Sequence, residues 1–230
     1  MRKLTAFKVK GLTRHKEEFL DAISKGQLSE KKGMGFIVQE DSVLFSCKFV
    51  EKVVVKEEVF DLVKLDFLPV SRETVMVCSF LVDLKGGWLY INGPMSNAKA
   101  MMTYLVEATA NSVSFEPCTL SLPRVFDMFI DKFGDFEVIK VRVNKIRLNK
   151  NTAFTGDLLP RGWSNDRVID LAQHWRSLTV MIADGESEGK VTVTRNAAMS
   201  LPAEMWALNQ GGWAGLLAGL VRASKDDARQ

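Results

Sequence analysis

Histidine is nearly missing from this chain: His15 and His174 are the only two in 230 residues, and neither HExxH nor HxxxH spacing occurs. An imidazole-based zinc site therefore has no support. His15 lies in a charged first turn and His174 precedes Trp175, so both read as structural or solvent-facing. Cysteine is scarce as well. Cys47, Cys78 and Cys118 are odd in number, lack CxxC spacing and lie within apolar strings, which rules out a dense disulfide framework and reads as reduced thiols used as small hydrophobes. That usage points to the cytoplasm. No GxSxG, GxxxxGK[ST] or GxGxxG is present, so nucleophile-elbow hydrolases, P-loop nucleotide binders and dinucleotide binders lose their usual support. No cofactor is implied.

Long hydrophobic runs are missing too. Charges interrupt every apolar run near the N-terminus, which gives no signal-peptide core. The longest uncharged stretch, 205–221, is 17 residues and contains Asn209, Gln210 and a Gly pair, short of the roughly 20 apolar residues of a spanning helix. No membrane association is expected. Nor does one sign of charge dominate: 31 Lys and Arg face 28 Asp and Glu, a formal +3, so strong polyanion binding by net charge alone is excluded. With 47% hydrophobic residues, the chain has enough apolar surface for a globular fold.

What is present reads as α+β: a mostly antiparallel meander sheet covered by helices, with a smaller C-terminal helix-hairpin-helix unit. Thr5 to Lys10 alternates as a half-buried strand. Helical spacing follows from a Thr13 cap to a Gly26 stop. Residues 35–82 are rich in Val, Phe, Ile and Leu; Val43, Phe45, Cys47 and Phe49 share one strand face, as do Val59, Val63, Leu65 and Phe67. Val75 to Val82 is apolar at odd and even positions alike, the pattern of a central strand covered on both sides, and Lys85-Gly86-Gly87 turns it into Trp88 to Ile91. A second helix is expected after a Ser96 cap, and a third from Ser121 to a Gly134 stop with Leu122, Val125, Phe126 and Phe129 on its stripe.

The segment 156–164, GDLLPRGWS, is the best boundary in the sequence. It divides a sheet domain, 1–156, from a C-terminal unit, 164–223, leaving a tail at 224–230. In that unit a helix capped by Ser164 carries Val168, Leu171, Ala172 and Trp175. A hairpin turns at Asp184-Gly185, and a last helix follows.

The most uneven charge lies in 138–150, VIKVRVNKIRLNK, where Lys140, Arg142, Lys145, Arg147 and Lys150 occur without an acid. Ile139, Val141 and Val143 point inward by alternation, and Ile146 and Leu148 then fall out of phase by one residue. A β-bulge at Asn144-Lys145 restores the phase and places the cations on one outward face. Outward residues of a strand recur about every 6.6–7 Å, comparable with the phosphates of an extended strand of nucleic acid. The plainer alternative is a solvated face or a lysine-guarded edge. The leading expectation is thus a non-enzymatic cytoplasmic protein that engages nucleic-acid phosphate through these five residues, with no catalytic or metal-binding residue.

Two other readings compete. Trp206 and Trp213 lie seven apart near Gly215, Leu217 and Gly219, an anchor for self-association or a partner protein or, equally, a face buried against the chain's own sheet. The third reading is a metal-dependent nuclease. Asp66 and Asp83 each end an apolar strand and Lys85 follows, a spacing that resembles the restriction-endonuclease-like nuclease core. In that chemistry carboxylates hold the metal and lysine steadies the developing charge.

Overall fold

The computed structural model describes residues 1–29, 33–39, 44–134, 136–147, 152–159, 174–184 and 187–227. They form β1 (Arg2–Lys10), α1 (Lys16–Lys25), β2 (Met34–Gln39), β3 (Phe45–Asp61), β4 (Asp66–Asp83), β5 (Trp88–Asn92), α2 (Met95–Ala108), β6 (Ser114–Pro117) and α3 (Leu122–Phe133). Then come β7 (Glu137–Arg147), β8 (Ala153–Leu158), β9 (Trp175–Asp184), β10 (Ser187–Thr194), β11 (Ala198–Leu201), α4 (Ala203–Leu208) and α5 (Gln210–Asp227). All the strands join one antiparallel sheet in the order β2-β3-β4-β5-β1-β11-β10-β9-β7-β8, with β6 paired to β1. The α+β class and the antiparallel sheet are as the sequence reads. Among the described residues, no helix is long and apolar enough to cross a membrane.

One sheet carries two cores on opposite sides. In β1, Phe7 and Val9 join Leu89, Ile91, Phe80, Cys47 and Phe49 in a cluster with Phe19 and Ile23 of α1 and Met101 and Leu105 of α2. Their neighbours in alternation, Leu4 and Ala6, join Trp88, Tyr90, Met199, Val193, Val180 and Val141 in a second cluster with Phe126 of α3 and Trp213 of α5. Side chains alternate across a strand, so the helices of the N-terminal half cover one face and those of the C-terminal half the other. The two coverings overlap at β1 and β5, which explains why Leu4 to Phe7 and Trp88 to Ile91 are buried at every position. Large apolar side chains buried this way contribute about 1.5–3 kcal/mol each.

Helix ends follow local chemistry. α3 runs between Ser121 and Gly134 with Pro123 in its first turn, as expected. α1 begins later than Thr13, because the Gly11 carbonyl accepts from the N–H groups of Arg14 and His15 and holds Thr13 in a turn. Gly11 has φ +80°, and a Cβ there would lie 2.1 Å from the Ser112 carbonyl oxygen, so only glycine fits. α2 starts after Pro94, whose fixed φ suits a helix entry; Ser96 lies inside the first turn and donates to Asn97.

Three expectations are corrected. First, the hairpin β9–β10 exists but is not set apart from the sheet: β9 pairs with β7 and β10 with β11, so among the described residues the sheet continues across the proposed cut at 156–164. Trp175 opens β9 instead of closing a helix, while Ser164, Val168, Leu171 and Ala172 lie outside the described residues. The last helix breaks at Asn209, whose Oδ1 accepts from the Gly212 N–H at 2.9 Å and caps α5, which then runs on to Asp227. Second, Val63 and Leu65 are not on a strand face; they form the turn of the β3–β4 hairpin and are 93% and 75% exposed. Third, only Cys78 to Val82 is covered as a central strand, while Val75 and Val77 are exposed.

That last difference has a simple origin. β3 and β4 pair from Phe45↔Val82 to Asp61↔Asp66, but β2 reaches only Glu51 and β5 only Ser79. Beyond those points the Lys52 N–H still reaches the Gly33 carbonyl and the Val77 carbonyl accepts from Asn97 Nδ2, and from Val53 to Asp61 β3 pairs with β4 alone among the described strands. Ten residues at about 3.4 Å per residue make an arm roughly 34 Å long, tipped by Phe60, Leu62, Val63, Leu65 and Phe67.

Candidate nucleic-acid interface

β7 carries the basic run, and its bulge is where the phase shift requires it. The register with β8 breaks between Val143 and Ile146. Lys145 takes φ 56°, a left-handed conformation that a bulge residue adopts. Its N–H donates to Thr155 Oγ1 at 3.0 Å, and the Thr155 hydroxyl donates to Asn144 Oδ1 at 3.0 Å. Val141, Val143 and Ile146 pack toward the core shared with α3 and α5. Lys140, Arg142, Lys145 and Arg147 therefore fall on the opposite face. A second irregularity at Ile139, between Val138 and Lys140, was not legible in the sequence; it turns Val138, in place of Ile139, toward the core.

The stripe is partly neutralised, contrary to the expectation of a run without a partner acid. Asp157 on β8 lies 2.9 Å from Arg142 Nε and 3.4 Å from Lys140 Nζ. Partial burial works to raise its carboxyl, but hydrogen bonds from Arg142 and then Lys140 outweigh that and hold it below the usual carboxylate range. Lys145 and Arg147 are exposed and have no ion pair among the described residues; Lys150 lies outside them.

The cations border a surface that the sequence did not single out. Pairing sets Lys3 opposite Ser200, Ser200 opposite Thr192, Thr192 opposite Thr179 and Thr179 opposite Lys140. A parallel row runs Thr5, Ala198, Thr194, Ser177, Arg142 and Asp157. At about 4.8 Å between strands, the first row spans roughly 19 Å and ends in a lysine on each side. Thr179 and Thr192 share a hydrogen bond at 3.0 Å. Thr5 Oγ1 is buried without a hydrogen-bond partner. Lys190 is exposed beside these rows, and the acids of the same face are Asp157, Glu137 and Glu188. The signal was present as Lys190-Val-Thr-Val-Thr, strict alternation with hydroxyls on one side, but it gains meaning only once the register aligns five strands.

The remaining candidates are placed plainly. Trp206, Trp213 and Leu217 are buried in the protein's own core: Trp213 stacks on Phe133 at 5.9 Å, and its Nε1–H donates to the Met205 carbonyl at 3.1 Å. In this fold they offer no anchor to a partner; own-sheet burial is what occurs. Gly215 borders open space, and Gly219 approaches Met128. Asp66 and Asp83 occupy opposite ends of the 18-residue β4, too far apart to share a metal. Asp83 instead accepts from the N–H groups of Lys85 and Gly86, closing the turn. No group of three metal-binding side chains occurs among the described residues. The cysteines are buried and not in disulfides, with desolvation pushing Cys47 up to about 12 and Cys78 up to about 11. His15 pairs with Glu18 at 2.9 Å. Compared with protein-family models and with curated proteins, the chain matches none.

Proposed function

We propose that the chain is a non-enzymatic, cytoplasmic binding protein that engages nucleic-acid phosphate along the cation-rimmed face of β1, β11, β10, β9 and β7. The observation that carries this reading is the set of cations Lys3, Lys140, Arg142, Lys145, Arg147 and Lys190 around rows of Ser and Thr in which Thr5 and Thr179 are themselves buried. Hydroxyls and cations are the groups that contact phosphate and sugar. Phe7, the aromatic side chain of β1 on that side, is buried in the N-terminal cluster, so among the described residues of these five strands no exposed ring is there to stack bases, and base stacking is what gives single-strand binders their platform. The contacts are therefore to the backbone, tolerant of sequence and open to duplexes. Salt sensitivity follows: log affinity should fall against log salt with a slope of about −0.9 per neutralised phosphate on a duplex and about −0.7 on a single strand. Anisotropy titrations of labelled DNA duplex, single-stranded DNA, RNA and heparin across salt test it, with Lys145→Glu/Arg147→Glu flattening the slope. Salt-independent binding, or a double variant that binds like the parent, refutes it.

A second reading, self-assembly, is favoured by the arm rather than by α5. An isolated two-stranded ribbon is marginal in water, and this one exposes Val54, Val59, Phe60, Leu62, Val63 and Leu65. Pro69 lacks an N–H and interrupts the outer edge of β4, whereas β3 has no proline from Lys52 to Asp61. Two β3 edges paired antiparallel about Val55 set Lys52 against Glu58, which suits a second copy as the occupant.

A further inference from the structure

Gly211, Gly215 and Ala218 recur at i, i+4 and i+7 of α5 and share a face. Spacing alone suggests a surface for another helix, but the structure gives it another use. A Cβ built on Gly211 or Gly215 would meet nothing within 4 Å, so these glycines border space, not a packed neighbour. That space is a groove of about 480 Å³ between α5 and the β4–β5 hairpin, with Asp83 and Tyr90 on the far wall, Asn209 at one end and Arg222 at the other. It lies on the face of the sheet opposite the hydroxyl rows and does not depend on them.

Three polar groups of different character meet there. Tyr90 is 1% exposed. Among the described residues its hydroxyl takes no hydrogen bond, although the charges of Asp83 and Arg222 both act on it. Asp83 commits one oxygen to the turn and leaves the other without a described partner. Arg222 uses only Nε, 3.4 Å from the Ala218 carbonyl, and makes no ion pair with Asp83. The Tyr90 hydroxyl belongs to the groove lining, where an occupant can complete its hydrogen bonding. An anion alone would meet Asp83, and a cation alone would meet Arg222; a molecule with both charges satisfies each. From Gly211 to Arg222, α5 rises about 16 Å, enough for two or three extended residues.

We propose that this groove binds a small zwitterion of the short-peptide class, its ammonium toward Asp83, its carboxylate toward Arg222 and its backbone hydrogen-bonded to Tyr90. The test uses the full chain with unblocked trialanine against N-acetyl-trialanine amide at millimolar concentration, read by thermal shift and titration calorimetry. Trialanine should raise the melting temperature in a concentration-dependent way and the blocked peptide should not. Tyr90→Phe should weaken binding about tenfold, the size of one hydrogen bond. Gly215→Leu should abolish binding by filling the groove, with the fold intact. Exposed Arg222→Gln gives the same loss of binding should that leucine disturb α5. Equal shifts with both peptides, no shift with either, or unchanged binding in Arg222→Gln overturns the proposal.

Discussion

The Thr155 hydroxyl on β8 accepts a hydrogen bond from the backbone N–H of Lys145 at 3.0 Å, at the point where β7 carries one residue too many. That bond holds Lys145 in its left-handed conformation and keeps the residues on either side in phase. Thr155→Val retains the shape and β-propensity but removes the acceptor. It should cost about 1 kcal/mol in urea denaturation, and Thr155→Ser should recover most of it. If Thr155→Val matches the parent in both stability and the salt slope of nucleic-acid binding, the hydroxyl does not set the bulge.

Asp157 competes with phosphate for Lys140 and Arg142. Replacing it with Asn should free both cations, raising affinity for a DNA duplex and steepening the salt dependence, while Lys140→Glu/Arg142→Glu does the reverse. The pH dependence carries the same sign. The folded-state carboxyl is held below its ordinary value, so the pairing is complete above the usual carboxylate range and is lost as pH falls through the depressed folded value. Phosphodiesters stay ionised over that interval, so binding by the parent should strengthen on acidification and binding by Asp157→Asn should stay flat. Identical pH profiles would show that Asp157 does not hold these cations back.

How much could be read from the sequence depended on whether the signal was local. The bulge at Asn144-Lys145 was legible because a one-residue phase shift in a run of alternating apolar residues has only one cheap repair. The helix from Ser121 to Gly134 was legible because cap, proline and stop all lie within it. The hydroxyl rows were not, since Lys3 and Lys140 become neighbours of the same surface only through four strand pairings far apart in sequence. The arm was misread for a related reason. Val59, Val63, Leu65 and Phe67 are as apolar as core residues, and only the shortness of β2 and β5 leaves them uncovered. Tryptophan and glycine spacing near the C-terminus fitted an interface and a core equally well, and packing against Phe133 decided for the core.

The arm should be separable from the body. Val54 and Glu73 lie directly opposite one another, so replacing 55–72 with Asn-Gly closes the ribbon with a two-residue turn suited to a hairpin. Both hydrophobic clusters lie outside the deleted segment, so the melting temperature should stay close to that of the parent. Light scattering after size exclusion should show the parent as a dimer and the shortened chain as a monomer. A parent that is monomeric at every concentration would remove the arm's role in self-assembly, and a shortened chain that remains dimeric would move the interface elsewhere.

Trp213 discriminates between core and interface with one pair of variants. Its ring is 2% exposed, stacks on Phe133, and hydrogen-bonds the Met205 carbonyl, so its truncation leaves a cavity where α3, α4 and α5 meet. Trp213→Ala should cost about 3–5 kcal/mol, enough to threaten the fold of a domain of ordinary stability. Trp213→Phe fills most of the volume and loses the indole N–H, which leaves the Met205 carbonyl unpaired at a cost of about 1–3 kcal/mol. Urea midpoints at two protein concentrations read the difference. A core role lowers both midpoints equally, because no association is involved, whereas an interface role would leave the monomer's stability intact and make the loss depend on concentration.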